Sequence, residues 1–226
     1  MLGSTFTLGL LLTFYLSFVL SSPIWRLAFF LTTLSTFHYL EFLTTAAYNT
    51  RAADTSSFLL TANWPAYAIA HTVAFLECFL AHFFLLPSSW GISFFLTPYH
   101  VLTSPFVVFL GLLLVIMGQA IRSLAMIHAG PSFNHHVQFH RSYDHVLVTT
   151  GIYSLLRHPS YFGFFYWALG TQLVMGNVLS LIGYAVVLGR FFKERIGYEE
   201  EALVRMFGAE YDRYRERVGT GLFFVR

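Results

Sequence analysis

Long apolar runs separated by short polar breaks dominate the first half of the chain. Four runs approach or exceed the length of about 20 apolar residues that a helix needs to cross a bilayer. They are roughly Thr5–Leu20, Ile24–Ala47, Ala66–Leu86 and Pro105–Ala129. The pattern therefore predicts four membrane helices within residues 1–129, and the first of them lacks the basic start of a signal peptide.

The second half of the chain has a different pattern. A polar stretch, 130–157, is followed by two shorter apolar runs, Ser160–Met175 and Val178–Phe192. Because only two residues separate these runs, they are predicted to form a tight helical hairpin. The tail, 193–226, is charged and helical in pattern until about Arg217. The whole chain is thus predicted to contain six membrane segments and a tail helix.

Two smaller features refine this picture. Gly163 and Gly170 are seven residues apart and share one helix face, and small residues on a face let a partner backbone come close. Neither glycine is assigned any chemistry. Two connections, 50–63 and 87–104, are predicted to be a polar loop and a proline-containing interfacial loop.

Composition supports an all-α polytopic membrane bundle. Hydrophobic residues make up 56% of the chain and charged residues only 11%, whereas a soluble domain carries about 25% charged residues. We expect one integral-membrane domain, 1–226, with the chemistry in 130–226. The net charge of +2 and the scattered basic residues exclude a nucleic-acid partner. Cys78 is the only cysteine, so a disulfide within the chain is excluded.

Basic residues predict the topology, because cytosolic loops carry an excess of Lys and Arg. With a cytosolic N-terminus, the loops away from the cytosol hold only Arg26, at a helix start. The cytosolic side receives Arg51, Arg122, Arg141, Arg157 and the tail from Arg190 onward. The polar stretch and the tail are therefore expected next to each other, at one mouth of the bundle.

Ionisable groups inside membrane spans are candidates for function. His38 and Glu41 are three residues apart and share a helix face, so they line a cavity or satisfy each other or a neighbouring helix. For Glu77 and His82 we favour a structural role. The sequence leaves the role of His38 and Glu41 open.

Many imidazoles lie in and near the polar stretch. His135, His136 and His140 come close together, but the only nearby acid is Asp144, and the chain has no HExxH motif and no cysteine pair. We therefore expect no metal site and interpret these histidines as interfacial hydrogen-bonding groups.

Arg157-His158-Pro159 opens the hairpin, in a place where charge is costly. Proline suits the first helical position, and a helix N-terminus can bind an anion. With the preceding Val146–Tyr153, interpreted as an extended segment ending in a turn, this start predicts a pocket walled by His158 and Tyr161. A simple helix cap would explain the proline but not the charged pair.

Arg195 and Glu199 lie one helical turn apart in the tail. They can form a surface ion pair, worth about 0.3–0.5 kcal/mol. Alternatively, Arg195 holds an anionic group, because a guanidinium fork matches a carboxylate. The residues alone slightly favour the ion pair.

Several segments resemble the isoprenylcysteine carboxyl methyltransferases of the endoplasmic reticulum. They are GPSFNHHVQ, DHVLVTTGIYSLLRHPSYFGFFYWALGTQ, RFFKERI with the Glu-rich run 199–201, FGAEYDRYRERVGTGL and, more weakly, FHYLEF. The resemblance runs from about Phe37 onward and is closest to the shorter fungal form. RHPxYxG with a Glu-rich tail is shared more loosely with other membrane methyltransferases and with sterol reductases.

The resemblance implies an enzyme that uses S-adenosylmethionine to methylate the C-terminal carboxylate of a prenylated (farnesyl or geranylgeranyl) cysteine after CaaX proteolysis. It implies Arg195 and Glu199 on the substrate side, in catalysis and substrate binding. It implies cofactor contacts at Gln138, His145, Val146, Leu147, Val148, Tyr153, His158, Pro159, Ser160 and Tyr161. The prenyl chain would enter from membrane lipid.

Three alternatives remain at this stage. One is an NADPH-dependent membrane sterol reductase, which would need a basic pocket for the 2′-phosphate and a longer bundle. The second is a phospholipid methyltransferase, which differs in substrate alone. The third, a membrane scaffold or transporter, would bind no cofactor.

Overall fold

The structure is a computed structural model of the chain. It describes residues 1–54, 57, 65–86, 93–135, 137–138 and 145–225, with the backbone alone at 93–96. Most of the predicted loop 50–63 and the residues His136, His140 and Asp144 lie outside this description. The described residues contain no strand. Their α-helices are α1 Leu2–Phe14, α2 Trp25–Tyr48, α3 Ala66–Leu80, α4 Ser93–Leu102, α5 Pro105–Ala129, α6 Pro159–Met175, α7 Leu179–Phe207 and α8 Ala209–Arg217.

Membrane-spanning helices form the body of the fold. Helices α1 and α3 each continue into a five-residue π-helical segment, Tyr15–Val19 and Ala81–Leu85. By length and composition, Leu2–Val19, Ala66–Leu85 and Pro105–Ser132 are each able to cross a membrane. The predicted class, an all-α membrane bundle, is confirmed.

Helices α5 and α6 approach more closely than any side chain larger than hydrogen would permit. A Cβ atom built on Gly118 would lie 2.5 Å from the Gly163 carbonyl oxygen, and one on Gly170 would lie 2.8 Å from the Gly111 oxygen. Gly163 and Gly170 therefore do face a partner backbone, as the sequence predicts. The partners are Gly111 and Gly118, which repeat the same seven-residue spacing on α5.

The predicted hairpin is confirmed as α6 and α7, with Gly176 in the left-handed conformation at the turn (φ 73°). Glu77 caps the start of α7, because its carboxylate accepts from the backbone N–H groups of Leu179 and Ser180 at 2.7 Å each. His82 contacts the Met175 carbonyl oxygen at 2.9 Å. The structural role predicted for Glu77 and His82 is therefore confirmed.

One sequence-based prediction is wrong: segment 87–104 is predicted to be a loop, but Ser93–Leu102 is helical with Pro98 inside it. The apolar run that ends at Phe192 and the first part of the predicted helical tail form one continuous helix, α7, up to Phe207. Charged residues after Phe192 change the polarity of the helix without ending it. The helix ends instead at Gly208, whose φ is 54°.

The glycine contacts give a first prediction. Gly118→Ala should destabilise the protein by about 1–3 kcal/mol, because its Cβ meets main-chain atoms that cannot move aside. Gly197→Ala in α7 is the matched control, since no atom lies within 4 Å of its added Cβ. We expect thermal unfolding in detergent to show a lower midpoint for the first variant and an unchanged or higher one for the second. Equal midpoints would contradict the close packing of α5 on α6.

Candidate active site

One end of the bundle contains a cavity of about 550 Å³. It is bounded by α3, α5, the start of α6, α7, α8 and the segments that precede α6. Except for Gln138, which is exposed, the predicted site residues all line it: His145, Val146, Leu147, Val148, Tyr153, His158, Pro159, Ser160, Tyr161, Arg195 and Glu199. The structure thus gathers residues that are up to 54 positions apart in the sequence.

The start of α6 forms one wall. Pro159 occupies the first helical position, as predicted, and His158 precedes it as N-cap. The segment before it is extended at Thr150 (ψ 173°) and turns at Gly151 (φ 60°), which confirms the predicted turn. The His158 ring then stacks on the Tyr161 ring, with centroids 5.7 Å apart and planes 10° apart.

A hydroxyl connects the two tail residues. Arg195 Nε donates to the Tyr161 hydroxyl at 2.8 Å, and this hydroxyl donates to Glu199 Oε2 at 2.5 Å. Arg195 Nη2 also donates to the His135 carbonyl oxygen. The simple Arg–Glu ion pair considered from sequence is therefore replaced by a bridge through Tyr161. Two of the three guanidinium nitrogens are held in place, while Nη1 makes no hydrogen bond to a described residue and can bind another acceptor.

Glu200 joins the start of α6 to the tail. Its Oε1 accepts from Arg157 Nε at 2.9 Å and lies 3.1 Å from His158 Nε2. Burial by itself raises the pKa of Glu200, but the hydrogen bonds and charges of His158 and Arg157 outweigh it, so the pKa lies below its ordinary value of 4.5. Sequence reasoning missed Glu200 because three consecutive glutamates gave no means of choosing the inward-facing one.

Arg157 fastens the chain end over this wall. Its Nη1 donates to the carbonyl oxygens of Arg215 at 3.1 Å and Val218 at 2.6 Å, and its backbone N–H donates to Gly219 at 2.9 Å. The buried Arg157 side chain thus satisfies the C-terminal carbonyls of α8. Its presence beside the bilayer is explained by tail docking.

The sequence also missed a buried ion pair. Arg122 donates from Nε and Nη2 to both carboxylate oxygens of Glu41, at 2.5 and 2.7 Å, and from Nη1 to the Ser160 hydroxyl at 2.9 Å. Arg122 lines the cavity. The role left open for Glu41 is therefore to hold Arg122. His38 instead contacts the Tyr67 hydroxyl at 3.0 Å.

The cavity has two chemically different parts. Its polar part contains His158, Arg195 and Glu199 between aromatic rings. Its apolar part lies between α3 and α7 and contains Ala66, Ala70, Val187, Leu188 and Phe191. Val187 and Phe191 are 65% and 40% exposed on the apolar part of α7. A molecule with a polar head and an apolar chain fits this arrangement.

Two tyrosine side chains, Tyr153 and Tyr214, connect the walls of the polar part. Tyr214 donates its hydroxyl to the Tyr153 carbonyl oxygen at 2.6 Å, and Tyr153 donates to Ala125 at 3.3 Å. Burial raises the pKa of Tyr214 to about 12 despite the opposing charge of Arg157, and burial also raises the pKa of Tyr153. Both hydroxyls therefore remain protonated donors at neutral pH, and they tie α8 to α5.

Comparison with solved structures defines the class of protein as an intramembrane methyltransferase. The structure described as "the eukaryotic intramembrane Ras methyltransferase ICMT" matches with a TM-score of 0.84 and 35% sequence identity, over 99% of this chain and 74% of that one. The fold and its membrane character are therefore shared over the whole length of this chain.

Sequence comparison then gives the family. A model of the isoprenylcysteine carboxyl methyltransferase (ICMT) family matches residues 110–205. The protein-S-isoprenylcysteine O-methyltransferase of Saccharomyces cerevisiae is 43% identical, over 98% of this chain and 90% of its own. The Homo sapiens protein of that name is 39% identical, over 100% of this chain and 72% of its own. The chain belongs to the isoprenylcysteine carboxyl methyltransferase family.

The Glu200 contacts predict a pH dependence. A carboxylate with a lowered pKa in the folded state contributes stability above its unfolded-state pKa, and this contribution is lost as pH falls from about 4.5 through the lower folded-state value. Glu200→Gln should cost about 1.5–3 kcal/mol at neutral pH and should lose less further stability on acidification than the parent. Thermal unfolding at several pH values measures both.

Glu201→Gln is the matched control, because the Glu201 side chain is 70% exposed. It should follow the parent protein at every pH. If Glu200→Gln also followed the parent, the ionic contacts to Arg157 and His158 would not contribute to stability.

Proposed function

We propose that this chain transfers a methyl group from S-adenosylmethionine to the C-terminal carboxylate of a prenylated cysteine, the end left by CaaX proteolysis. The observation that carries the proposal is the two-part cavity, in which Arg195 lies between a polar pocket and an apolar passage open to lipid. The names of the relatives, protein-S-isoprenylcysteine O-methyltransferases, support the same substrate. They do not favour the sterol reductase or the phospholipid methyltransferase.

The cofactor fits the polar part. A volume of about 550 Å³ lies within the range of about 300–1,000 Å³ typical of small-molecule sites. The start of α6 suits the cofactor's carboxylate, as helix N-termini do for anions. Stacked His158 and Tyr161 and the nearby Phe207 offer ring faces to a sulfonium cation. The cofactor would supply an electrophilic methyl group, and His145–Val148 and Tyr153 would complete its walls.

Gln138 stays a prediction for the cofactor site. The structure places it on the surface, outside the residues that line the cavity. It belongs to the polar stretch that leads to His145, so it would have to move inward to contact the cofactor.

The substrate carboxylate would bind to Arg195. An α-carboxyl group ionises with a pKa of about 3.3–3.7, so at neutral pH it is already a nucleophile and the chain need supply no general base. Arg195 Nη1 would hold one oxygen, while Tyr161 and His135 fix the orientation of the guanidinium. Alignment of the reacting atoms and exclusion of water are then the main contributions of the protein.

The prenyl chain would occupy the passage between α3 and α7. Its walls are aliphatic and aromatic, and Val187 and Phe191 are exposed where lipid would surround the helix. Because a chain of 15 or 20 carbons already lies in lipid before it binds, van der Waals packing against these walls, rather than removal from water, would stabilise it there. The passage thereby selects a prenylated end over an ordinary C-terminus.

The charges support the orientation, and the resemblance to methyltransferases of the endoplasmic reticulum supports the membrane. Arg51, Arg157, Arg190 and the Arg residues of the tail belong to the end of the bundle that carries the cavity, and cytosolic segments are rich in Lys and Arg. We place the protein in the endoplasmic reticulum membrane as a multi-pass protein, with residues 130–226 on the cytosolic side. The chain would act as one domain, 1–226.

The direct test is methyl transfer. Purified protein with labelled S-adenosylmethionine should methylate a farnesylated cysteine analogue, and the product should be a base-labile ester. The same analogue with its carboxyl group converted to an amide is the matched control and should stay unlabelled. Stabilisation by NADPH but not by S-adenosylhomocysteine, or labelling of phospholipid in place of the analogue, would sink the proposal.

Two variants separate the two halves of the site. Arg195→Ala should lower kcat/KM by about 10²–10³, the usual loss when one charge-stabilising donor is removed, while S-adenosylhomocysteine binding stays near the parent value. His158→Ala should weaken S-adenosylhomocysteine binding more than it raises KM for the prenylated substrate. Arg190→Ala, which alters an exposed arginine on the same helix, is the control and should leave both unchanged. Turnover equal to that of the parent in Arg195→Ala would contradict the proposed role of Arg195 in substrate binding.

A further inference from the structure

A second cavity, of about 570 Å³, lies at the opposite end of the bundle from the candidate active site. Helices α2 and α6 run between the two ends: α6 starts at Pro159 beside the first cavity, and its last carbonyls lie beside the second. Polar side chains line much of this second cavity. Apart from Arg26 they are Ser17, Ser21, Ser22, His82, His100 and Thr103. The Thr103 hydroxyl already donates to the His100 carbonyl oxygen, and His82 Nε2 lies against the Met175 carbonyl oxygen, so the serine hydroxyls are the donors best placed for a ligand.

Arg26 supplies the charge of this cavity. Arg26 is 6% exposed, and its Nη1 donates to the Val174 carbonyl oxygen at the end of α6. The guanidinium lies 5.1 Å from the centre of the Trp25 ring, which fixes its position. Within the described part of the chain, its Nε makes no hydrogen bond. Capping of α6 accounts for Nη1, but no ion pair among the described residues balances the charge of Arg26.

The described carboxylates do not pair with Arg26. None of the ion pairs among the described residues includes it, and residues 87–92, which follow the cavity residue Leu86 in the sequence, contain neither Asp nor Glu. Glu77 is the acid on the adjacent helix α3, but its oxygens already accept from Leu179, Ser180 and Tyr99. A buried cation without a partner is costly, so an external anion would be strongly favoured here.

We propose that this cavity binds the phosphate group of an anionic phospholipid, with Arg26 as its charge partner and the hydroxyl groups of Ser17, Ser21 and Ser22 as donors. The cavity lies where α2 begins, so the positive end of the helix dipole has the same sign as Arg26. Exposed Phe18 and Leu20 beside it offer apolar surface to acyl chains. No carboxylate lines the cavity to pair with choline or ethanolamine, which favours a headgroup without an ammonium group.

Binding of lipid to the purified full chain tests this inference. Intact-complex mass spectrometry should show that the protein binds phosphatidylinositol with about fivefold higher affinity than phosphatidylcholine of the same acyl chains, as expected for one Arg near an anionic lipid. Thermal unfolding in detergent should show a higher midpoint with phosphatidylinositol than with phosphatidylcholine. Arg26→Gln should remove this preference. Inorganic phosphate at the same concentration should produce no shift, and an equal shift with it would overturn the assignment to a lipid.

A charge-matched pair keeps the test decisive if Arg26→Gln fails to fold. Ser22→Glu places a carboxylate in the cavity, where it would balance Arg26 and repel phosphate, whereas Ser22→Gln adds the same volume without charge. We expect the glutamate variant to lose the preference for phosphatidylinositol and the glutamine variant to keep it. Equal lipid preference in these two variants, or an unchanged preference in Arg26→Gln, overturns the proposal.

Discussion

The ionic contacts of Glu200 are the constraint on which the candidate active site depends. The carboxylate receives Arg157 and His158 on one oxygen, so it joins the start of α6 to the long helix α7. Arg157 Nη1 donates to the carbonyl oxygens at the end of α8. Three segments that are distant in sequence therefore meet at one buried charge cluster. Together with the hydrogen bond from Tyr214 to Tyr153, this cluster holds α8 and the chain end over the cavity.

The spacing of the glycines on α5 and α6 also positions the start of α6. Because Gly118 and Gly163 let α5 and α6 touch through their backbones, Arg122 on α5 reaches the Ser160 hydroxyl at the start of α6. Glu41 on α2 neutralises Arg122 through two hydrogen bonds. Breaking such a buried pair by removing one partner leaves a stranded charge, which is strongly destabilising. The cavity wall is thereby rigid on the side of α5 as well.

Sequence reasoning reached the helices, the hairpin, Pro159 at the start of α6 and most cavity residues, because these depend on local pattern or on a specific resemblance. It missed the helix Ser93–Leu102 and the continuity of α7 past Phe192, since polarity and isolated prolines are weak guides to helix ends. It also missed Arg122 and Glu200. Their partners are separated by 81 and 43 positions, and a single sequence carries no sign of which charges meet.

The bridge from Arg195 through Tyr161 to Glu199 bears on the chemistry proposed above. A bare guanidinium would bind a carboxylate strongly, but it would also withdraw electron density from the oxygen that must attack a methyl group. Glu199 offsets part of that charge through the Tyr161 hydroxyl, at 2.5 Å on one side and 2.8 Å on the other. The site can then orient a carboxylate by one remaining nitrogen while leaving it nucleophilic. Since the nucleophile needs no base, tuning the cation is the task that remains for the protein.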